Sequence, residues 1–251
     1  MDVVILGSGT SIPHPHRASP GIALALPGGI GLIDPSAGSL HRMARAGLEF
    51  QRLSWVAISH FHPDHTGDLV SLLFAARNPH YPTPARLRLI GPPGLADHYR
   101  ALAGVYGHWI RLGEDRLTIQ EIDNGELSLE DCRLTVAPVD HAQPSIGMRL
   151  TTSAGRVLAY SGDSDYCSAL VELARDATVA VLEASHPTKH KLSGHLTPGL
   201  AGRVAAEAGA RRLVLTHLYP LCNESDLLEE VRKAGYAGPA EIAGDGLRLA
   251  V

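Results

Sequence analysis

His60-Phe61-His62-Pro63-Asp64-His65 packs four metal-capable side chains into six residues. Apolar Trp55-Val56-Ala57-Ile58 precedes the stretch, and from Gly67 to Arg77 apolar residues recur at helical spacing. The segment therefore reads as a buried strand that turns tightly towards a helix. Such a turn can aim His60, His62, Asp64 and His65 into a common space. Imidazole is the commonest metal ligand near neutral pH, and imidazole together with carboxylate suits zinc or a similar divalent ion. A lone histidine on a turn is ordinarily a solvated surface residue. Four donors at H-x-H-x-D-H spacing behind a strand read as a metal site.

Further donors stand behind later apolar runs. Leu134-Thr135-Val136 leads to Asp140-His141, Val157-Leu158-Ala159-Tyr160 leads to Ser161-Gly162-Asp163-Ser164, and Leu213-Val214-Leu215-Thr216 leads directly to His217. Any one of these alone would be an ordinary turn residue. Taken in order with the first stretch, they resemble the ligand series of the metallo-β-lactamase superfamily, over nearly the whole chain. The resemblance implies an α/β fold, the four-layer αβ/βα sandwich, with two mixed sheets packed face to face between helical layers. It also implies a binuclear site at one edge of the sandwich. His60, His62 and His141 would hold one ion, Asp64, His65 and His217 the other, and Asp163 would bridge them. The cofactors implied are two divalent ions, Zn2+ by preference, with Mn2+ or Fe2+ as substitutes because every ligand is N or O.

Three other segments are similar to the RNase Z branch of that superfamily. Leu6-Gly7-Ser8-Gly9-Thr10-Ser11-Ile12-Pro13 resembles its Leu-Gly-Thr-Gly-Ala-x-x-Pro opening. Val181-Leu182-Glu183-Ala184-Ser185 resembles its His-Glu-Ala-Thr stretch, with Leu182 in place of that His, and Gly194-His195-Leu196-Thr197 resembles its Gly-His-Ser-Thr loop. By this resemblance Glu183 orients His195, which protonates the departing ribose oxygen, and the catalytic set is Asp64, His195 and Glu183. An alkoxide leaves poorly without such a donor or a metal. The glycines of the opening would either let backbone amides approach a phosphate or serve simple turns. Asp34, in Leu32-Ile33-Asp34-Pro35, matches a position that supports the metal loops.

Composition bounds the remaining choices. The chain has 251 residues, 45% of them hydrophobic, enough for one large core or two small ones, and an αβ repeat of this length often forms a single domain; with the resemblance, the expectation is one hydrolase domain over 1–251. No apolar run reaches the roughly 18 residues of a membrane span. Met1-Asp2-Val3-Val4-Ile5-Leu6 is acidic and strand-like rather than a signal peptide. Cys132, Cys167 and Cys222 are odd in number and far apart, so reduced thiols and a cytoplasmic location are expected, with Cys222 an ordinary buried thiol rather than a ligand. The net charge of −4 provides no broad duplex-binding surface, although Lys189, His190 and Lys191 form a small basic loop that could reach a phosphate. Oligomeric state is open, and a homodimer is compatible with the sequence.

Strands are expected at 3–6, 22–26, 30–33, 55–59, 86–90, 117–122, 133–136, 146–151, 157–160, 179–183, 212–216, 240–242 and 247–250. Pro27-Gly28-Gly29 reads as a hairpin turn, and helices are expected from a Ser36 cap to Ala46, after Thr66, at 94–103, at 168–175, from a Thr197 cap to Ala208, and at 224–234. RNase Z proteins that process tRNA carry a long arm, inserted in the bacterial short form between the third-motif His and the bridging Asp. Here 163 − 141 = 22 positions, already occupied by two strands and a turn. The expectation is thus a metal-dependent phosphodiesterase with an RNase Z-like site and no tRNA clamp. Its substrates would be small or exposed phosphodiesters such as cyclic nucleotides, short oligonucleotides and RNA ends. Two alternatives are a hydrolase of sulfate esters, lactones or β-lactams on the same site, and a nucleic-acid-binding or regulatory protein whose site is vestigial.

Overall fold

The computed structural model describes residues 1–142 and 144–251. The first half runs β1 (Asp2–Gly7), β2 (Gly21–Leu26), β3 (Gly29–Ile33), α1 (Ser39–Arg45), β4 (Leu53–Ala57) and a single-turn α2 (Pro63–Thr66). It continues through α3 (Leu69–Ala76), β5 (Leu87–Gly91), α4 (Leu95–Tyr106) and β6 (Leu117–Glu121). The second half opens with β7 (Gly125–Ser128), β8 (Cys132–Pro138), β9 (Ile146–Thr152), β10 (Val157–Tyr160), α5 (Ser168–Ala174) and β11 (Val179–Glu183). α6 (Pro198–Ala208), β12 (Leu213–Thr216), α7 (Leu227–Lys233), β13 (Ala240–Ile242) and β14 (Arg248–Ala250) complete it.

The strands form two seven-stranded sheets, in the orders β14-β1-β2-β3-β4-β5-β6 and β13-β12-β11-β10-β9-β8-β7. In each, antiparallel pairing on one side gives way to parallel pairing on the other, at β3 in the first sheet and β10 in the second. Side-chain alternation explains the layering, because successive residues of a strand face opposite sides. Val3, Ile5, Ile22 and Leu24 from one sheet meet Leu134, Met148, Leu158 and Val181 from the other in the central core. Val4, Leu6, Leu32 and Val56 turn outward onto Met43, Leu69, Leu72 and Leu95 of α1, α3 and α4. Ala159, Ala180, Leu182 and Leu215 turn outward onto Leu170, Ala201, Val204 and Leu227 of α5, α6 and α7. Strands covered on both faces must read as continuous apolar runs, which is how β4, β10, β11 and β12 read. The result is the expected αβ/βα sandwich.

Local departures have local causes. Leu26 pairs with Gly29, so the hairpin turn is Pro27-Gly28 alone and Gly29 already belongs to β3. Ser36 does not cap α1: its hydroxyl donates to Ser19 O, and the helix begins after Gly38 at φ 82°. Thr66 closes α2 rather than capping α3, because its hydroxyl donates back to His62 O. Thr197 caps α6 as expected, accepting from Leu200 N at 3.2 Å, with Pro198 in the first turn. β14 lies beside β1, with Val3 opposite Leu249, and Met1 and Val251 exchange backbone hydrogen bonds at 3.1 and 3.0 Å.

Candidate metal centre

Six residues of the site follow, or end, the carboxyl end of a strand. Asp34 follows β3, His60 follows β4, His141 follows β8, Asp163 follows β10, Glu183 ends β11, and His217 directly follows β12. Crevices beyond the carboxyl ends of parallel strands are where side chains from different strands can converge. Ser59 O accepts from Ile146 N at 3.0 Å, which ties the loop after β4 to the start of β9 in the opposite sheet. Pro63 in the first turn of α2 starts that short helix immediately after His62 and presents Asp64 and His65 on it.

The seven donors come together as two adjoining groups. Ligand atoms of His60, His62, His141 and Asp163 lie within 4.8 Å of one another, and so do those of Asp64, His65 and His217. Asp163 divides its carboxylate between them. Its Oδ2 lies 3.9 Å from His60 Nε2 and 3.8 Å from His141 Nε2, while its Oδ1 lies 3.3 Å from both His65 Nε2 and His217 Nε2. His62 presents Nδ1, at 2.9 Å from His60 Nε2 and 3.3 Å from His141 Nε2. Asp64 Oδ2 stands 3.6 Å from His217 Nε2. His60, His65, Asp163 and His217 are buried, whereas His62 is exposed and marks the open side.

Hydrogen bonds behind the donors select which ring nitrogen faces inward. His65 Nδ1 meets Asp34 Oδ2 at 2.8 Å, His141 Nδ1 meets Gly194 O at 2.7 Å, and His60 Nδ1 meets Ser59 Oγ at 3.0 Å. Each leaves Nε2 for the centre, the arrangement that orients imidazoles at metal sites. Asp34, fully buried, also accepts from Ser59 N at 2.7 Å and from the Tyr160 hydroxyl at 2.8 Å. Asp34 and His217 hold φ of 51° and 55°, a left-handed backbone that costs a non-glycine residue energy and aims its side chain off the strand direction.

The electrostatics suit a cation. Burial, and then the neighbouring His65, push His60 down to about 2, so its imidazole is neutral and can donate a lone pair. Burial lowers His141 as well. Burial opposes charge on Asp163, yet His217 and His65 hold its carboxyl well below the usual range. Burial likewise opposes charge on His65 and His217, and Asp163 outweighs it in both. Among the described residues, His65 Nε2, Asp163 Oδ1 and both nitrogens of His217 are buried polar atoms without a hydrogen-bond partner. Buried polar atoms are nearly always paired. Unpaired N and O atoms converging beside a carboxylate are the donor set a divalent cation completes once it displaces the imidazole protons, so the residues fit the ion.

His195 borders both groups. Its Nδ1 lies 3.1 Å from Glu183 Oε1 and 3.9 Å from Asp163 Oδ2. Glu183 is fully buried, its Oε1 also accepting from Ser164 N at 2.7 Å. Burial disfavours the imidazolium of His195, but the Glu183 hydrogen bond prevails and raises it above the ordinary histidine range. Residues around the centre have other parts. Gly7 serves close packing: a Cβ there would sit 1.8 Å from Ser19 O. The nearby Ser11 N donates to Asp64 Oδ2 at 3.1 Å. Cys222 Sγ lies against Ala184 O and Ser185 O and belongs to neither donor group, as expected, and burial pushes its thiol to about 12. Lys189 and His190 are exposed, while Lys191 Nζ is spent on Asp165 at 2.6 Å. Asp165, Tyr160 and the Gly194 carbonyl carry no local sequence signal for the parts they play.

Comparison with known proteins agrees with this picture. A beta-lactamase superfamily domain model matches residues 31–218. An uncharacterized protein of Mycobacterium tuberculosis (strain H37Rv) is 39% identical over 190 residues, 73% of this chain and 68% of its own. The ribonuclease Z of Mycobacterium avium (strain 104) is 30% identical over 276 residues, covering 100% of this chain and 98% of its own. The metallo-beta-lactamase fold protein YhfI from Bacillus subtilis superposes with a TM-score of 0.86 at 22% identity, covering 99% of each chain. A His/Asp cluster built for a divalent metal, on this sandwich and with relatives of this kind, makes the chain a member of the β-lactamase superfamily, a metal-dependent hydrolase related to ribonuclease Z.

Proposed function

We propose that residues 1–251 form one binuclear phosphodiesterase domain acting on small or exposed phosphodiesters, such as cyclic nucleotides, short oligonucleotides and RNA ends. The observation that carries this reading is the division of Asp163, one oxygen towards His60 and His141 and the other towards His65 and His217. On this reading His60, His62 and His141 hold one ion, Asp64, His65 and His217 the second, and Asp163 both, with Zn2+ the preferred metal. When bound, such a pair supplies a nucleophile at neutral pH and draws charge from the phosphoryl oxygens. The chain's own residues do the rest. Glu183 holds Nδ1 of His195, which leaves Nε2 to carry a proton to the departing alkoxide oxygen. Asp64, on α2 at the less buried side of the cluster, completes the catalytic set. The relative named ribonuclease Z supports a phosphodiester substrate. Three free thiols support a reducing, cytoplasmic compartment, and among the described residues no helix is long and apolar enough to cross a membrane.

Elemental analysis of protein purified without chelator tests the binuclear reading, with about two equivalents of divalent metal expected. Chelation should abolish turnover across a panel of phosphodiesters, sulfate esters and lactones, in which the diesters should be favoured. Metal content near zero with activity indifferent to chelator would overturn it. A panel led by lactones or sulfate esters would overturn the substrate class alone.

A further inference from the structure

Asp165 sits two residues beyond Asp163 and joins three loops of the centre. Its backbone N donates to Asp140 O at 2.6 Å, reaching the residue before His141. Its Oδ1 accepts from Tyr166 N at 2.8 Å, which fixes the carboxylate within its own loop. Its Oδ2 accepts from Gly194 N at 3.1 Å and from Lys191 Nζ at 2.6 Å. Lys191 Nζ also donates to Leu192 O at 2.6 Å, so the cation braces the same turn. Gly194 is the pivot. Its N–H goes to Asp165, its carbonyl takes the Nδ1 proton of His141 at 2.7 Å, and the next residue is His195. That two-way use of one residue comes with φ 81°, and a Cβ there would sit 3.3 Å from His141 Nδ1, which is why glycine occupies the position. A surface ion pair alone would join Lys191 to Asp165 and stop there. Here the carboxylate also holds the backbone on which both His141 and His195 depend.

We infer that Asp165 is a positioning residue: it sets the register of the 191–195 turn, and thereby the approach of His195 to Glu183 and the orientation of His141. The inference rests on the proposed acid role of His195 for its kinetic consequence, but its geometric consequence stands alone. Hydrogen exchange and turnover are measured together on metal-saturated wild type, Asp165→Ala, Asp165→Asn and His195→Ala. In Asp165→Ala, exchange across residues 191–196 should rise about tenfold, with β11 and α6 unchanged, since only the local opening is affected. Its kcat on a dinucleotide should fall about tenfold, and on bis(p-nitrophenyl) phosphate by less than about threefold, with KM held, because only the alkoxide needs a well-placed proton. Asp165→Asn keeps an oxygen acceptor for Gly194 N–H and should recover most of both losses. Exchange unchanged in Asp165→Ala, or raised equally through β11 and α6, would overturn the positioning role whatever the substrate proves to be. If His195→Ala shows no leaving-group preference, the acid reading of His195 fails, and the exchange profile still decides the case for Asp165.

Discussion

In its proposed role His195 touches only the leaving group, which makes it separable from the residues that would hold the ions. His195→Ala should slow diesters with alkoxide leaving groups by about 10²-fold, the ordinary size of a general-acid contribution, and matter far less for nitrophenolate. Glu183→Gln should show a weaker version, since an amide oxygen can still accept from Nδ1. Paired steady-state assays on the two leaving groups decide it, and equal losses would make His195 a binding or structural residue. The donors themselves are legible in sequence because His60, His141, Asp163 and His217 come soon after apolar runs, and His62, Asp64 and His65 crowd in beside the first of them. The residues that orient them are not. Tyr160 donates to Asp34 across 126 positions and Gly194 O serves His141 across 53, and no local pattern encodes a partner at that separation. Asp34 is found in advance only through the family resemblance.

Elements are legible where packing dictates them and blurred where a single hydroxyl decides. β10, β11 and β12 are buried on both faces and announce themselves as apolar runs. β7, half-exposed and four residues long, does not. Ser36 and Thr66 resemble caps by type, yet each hydroxyl is committed to a carbonyl, Ser19 O and His62 O. A cap needs its oxygen as an acceptor aimed at the first turn, which residue type alone does not show. Packing between neighbouring strands can be tested at Gly31 in β3, opposite Trp55 in β4. A Cβ on Gly31 would lie 2.0 Å from Trp55 Cζ2. The indole covers the glycine, and Gly31→Ala must displace it, at a cost of about 1–3 kcal/mol for overpacking. Urea unfolding should report the loss, and a neutral outcome would mean that the Trp55 side chain repacks freely.

At the scale of the whole molecule, the interval from His141 to Asp163 holds β9, β10 and their turn. The proposed function places no arm in that interval, and on that reading recognition of a large RNA falls to the centre itself. Small diesters should turn over measurably, while precursor tRNA is cut poorly, with a salt slope of only about −0.7 for each single-strand phosphate engaged. Matched assays across a salt series test this, and efficient cleavage at the 3′ end of the tRNA body with a steep slope would reassign the substrate. The thiols offer a separate check. Burial pushes Cys132 to about 11 and Cys222 to about 12, from an ordinary 9.0, so both stay protonated at neutral pH. The native state thus holds those protons longer than the unfolded chain does. That stabilisation is complete below about 9 and fades as pH climbs towards 11–12. Alkylation at pH 8 should mark Cys167 alone in native protein and all three cysteines after denaturation, as read by mass spectrometry. Finally, the pairing of β1 with residues 248–250 gives the first sheet a late seam. A ribosome delivers β1 long before its outer neighbour, so Val3 and Ile5 wait with one strand edge open until residues 248–250 are made. The nascent chain is therefore most exposed to edge-to-edge association before residues 248–250 emerge, and closure of the N-terminal sheet waits for them.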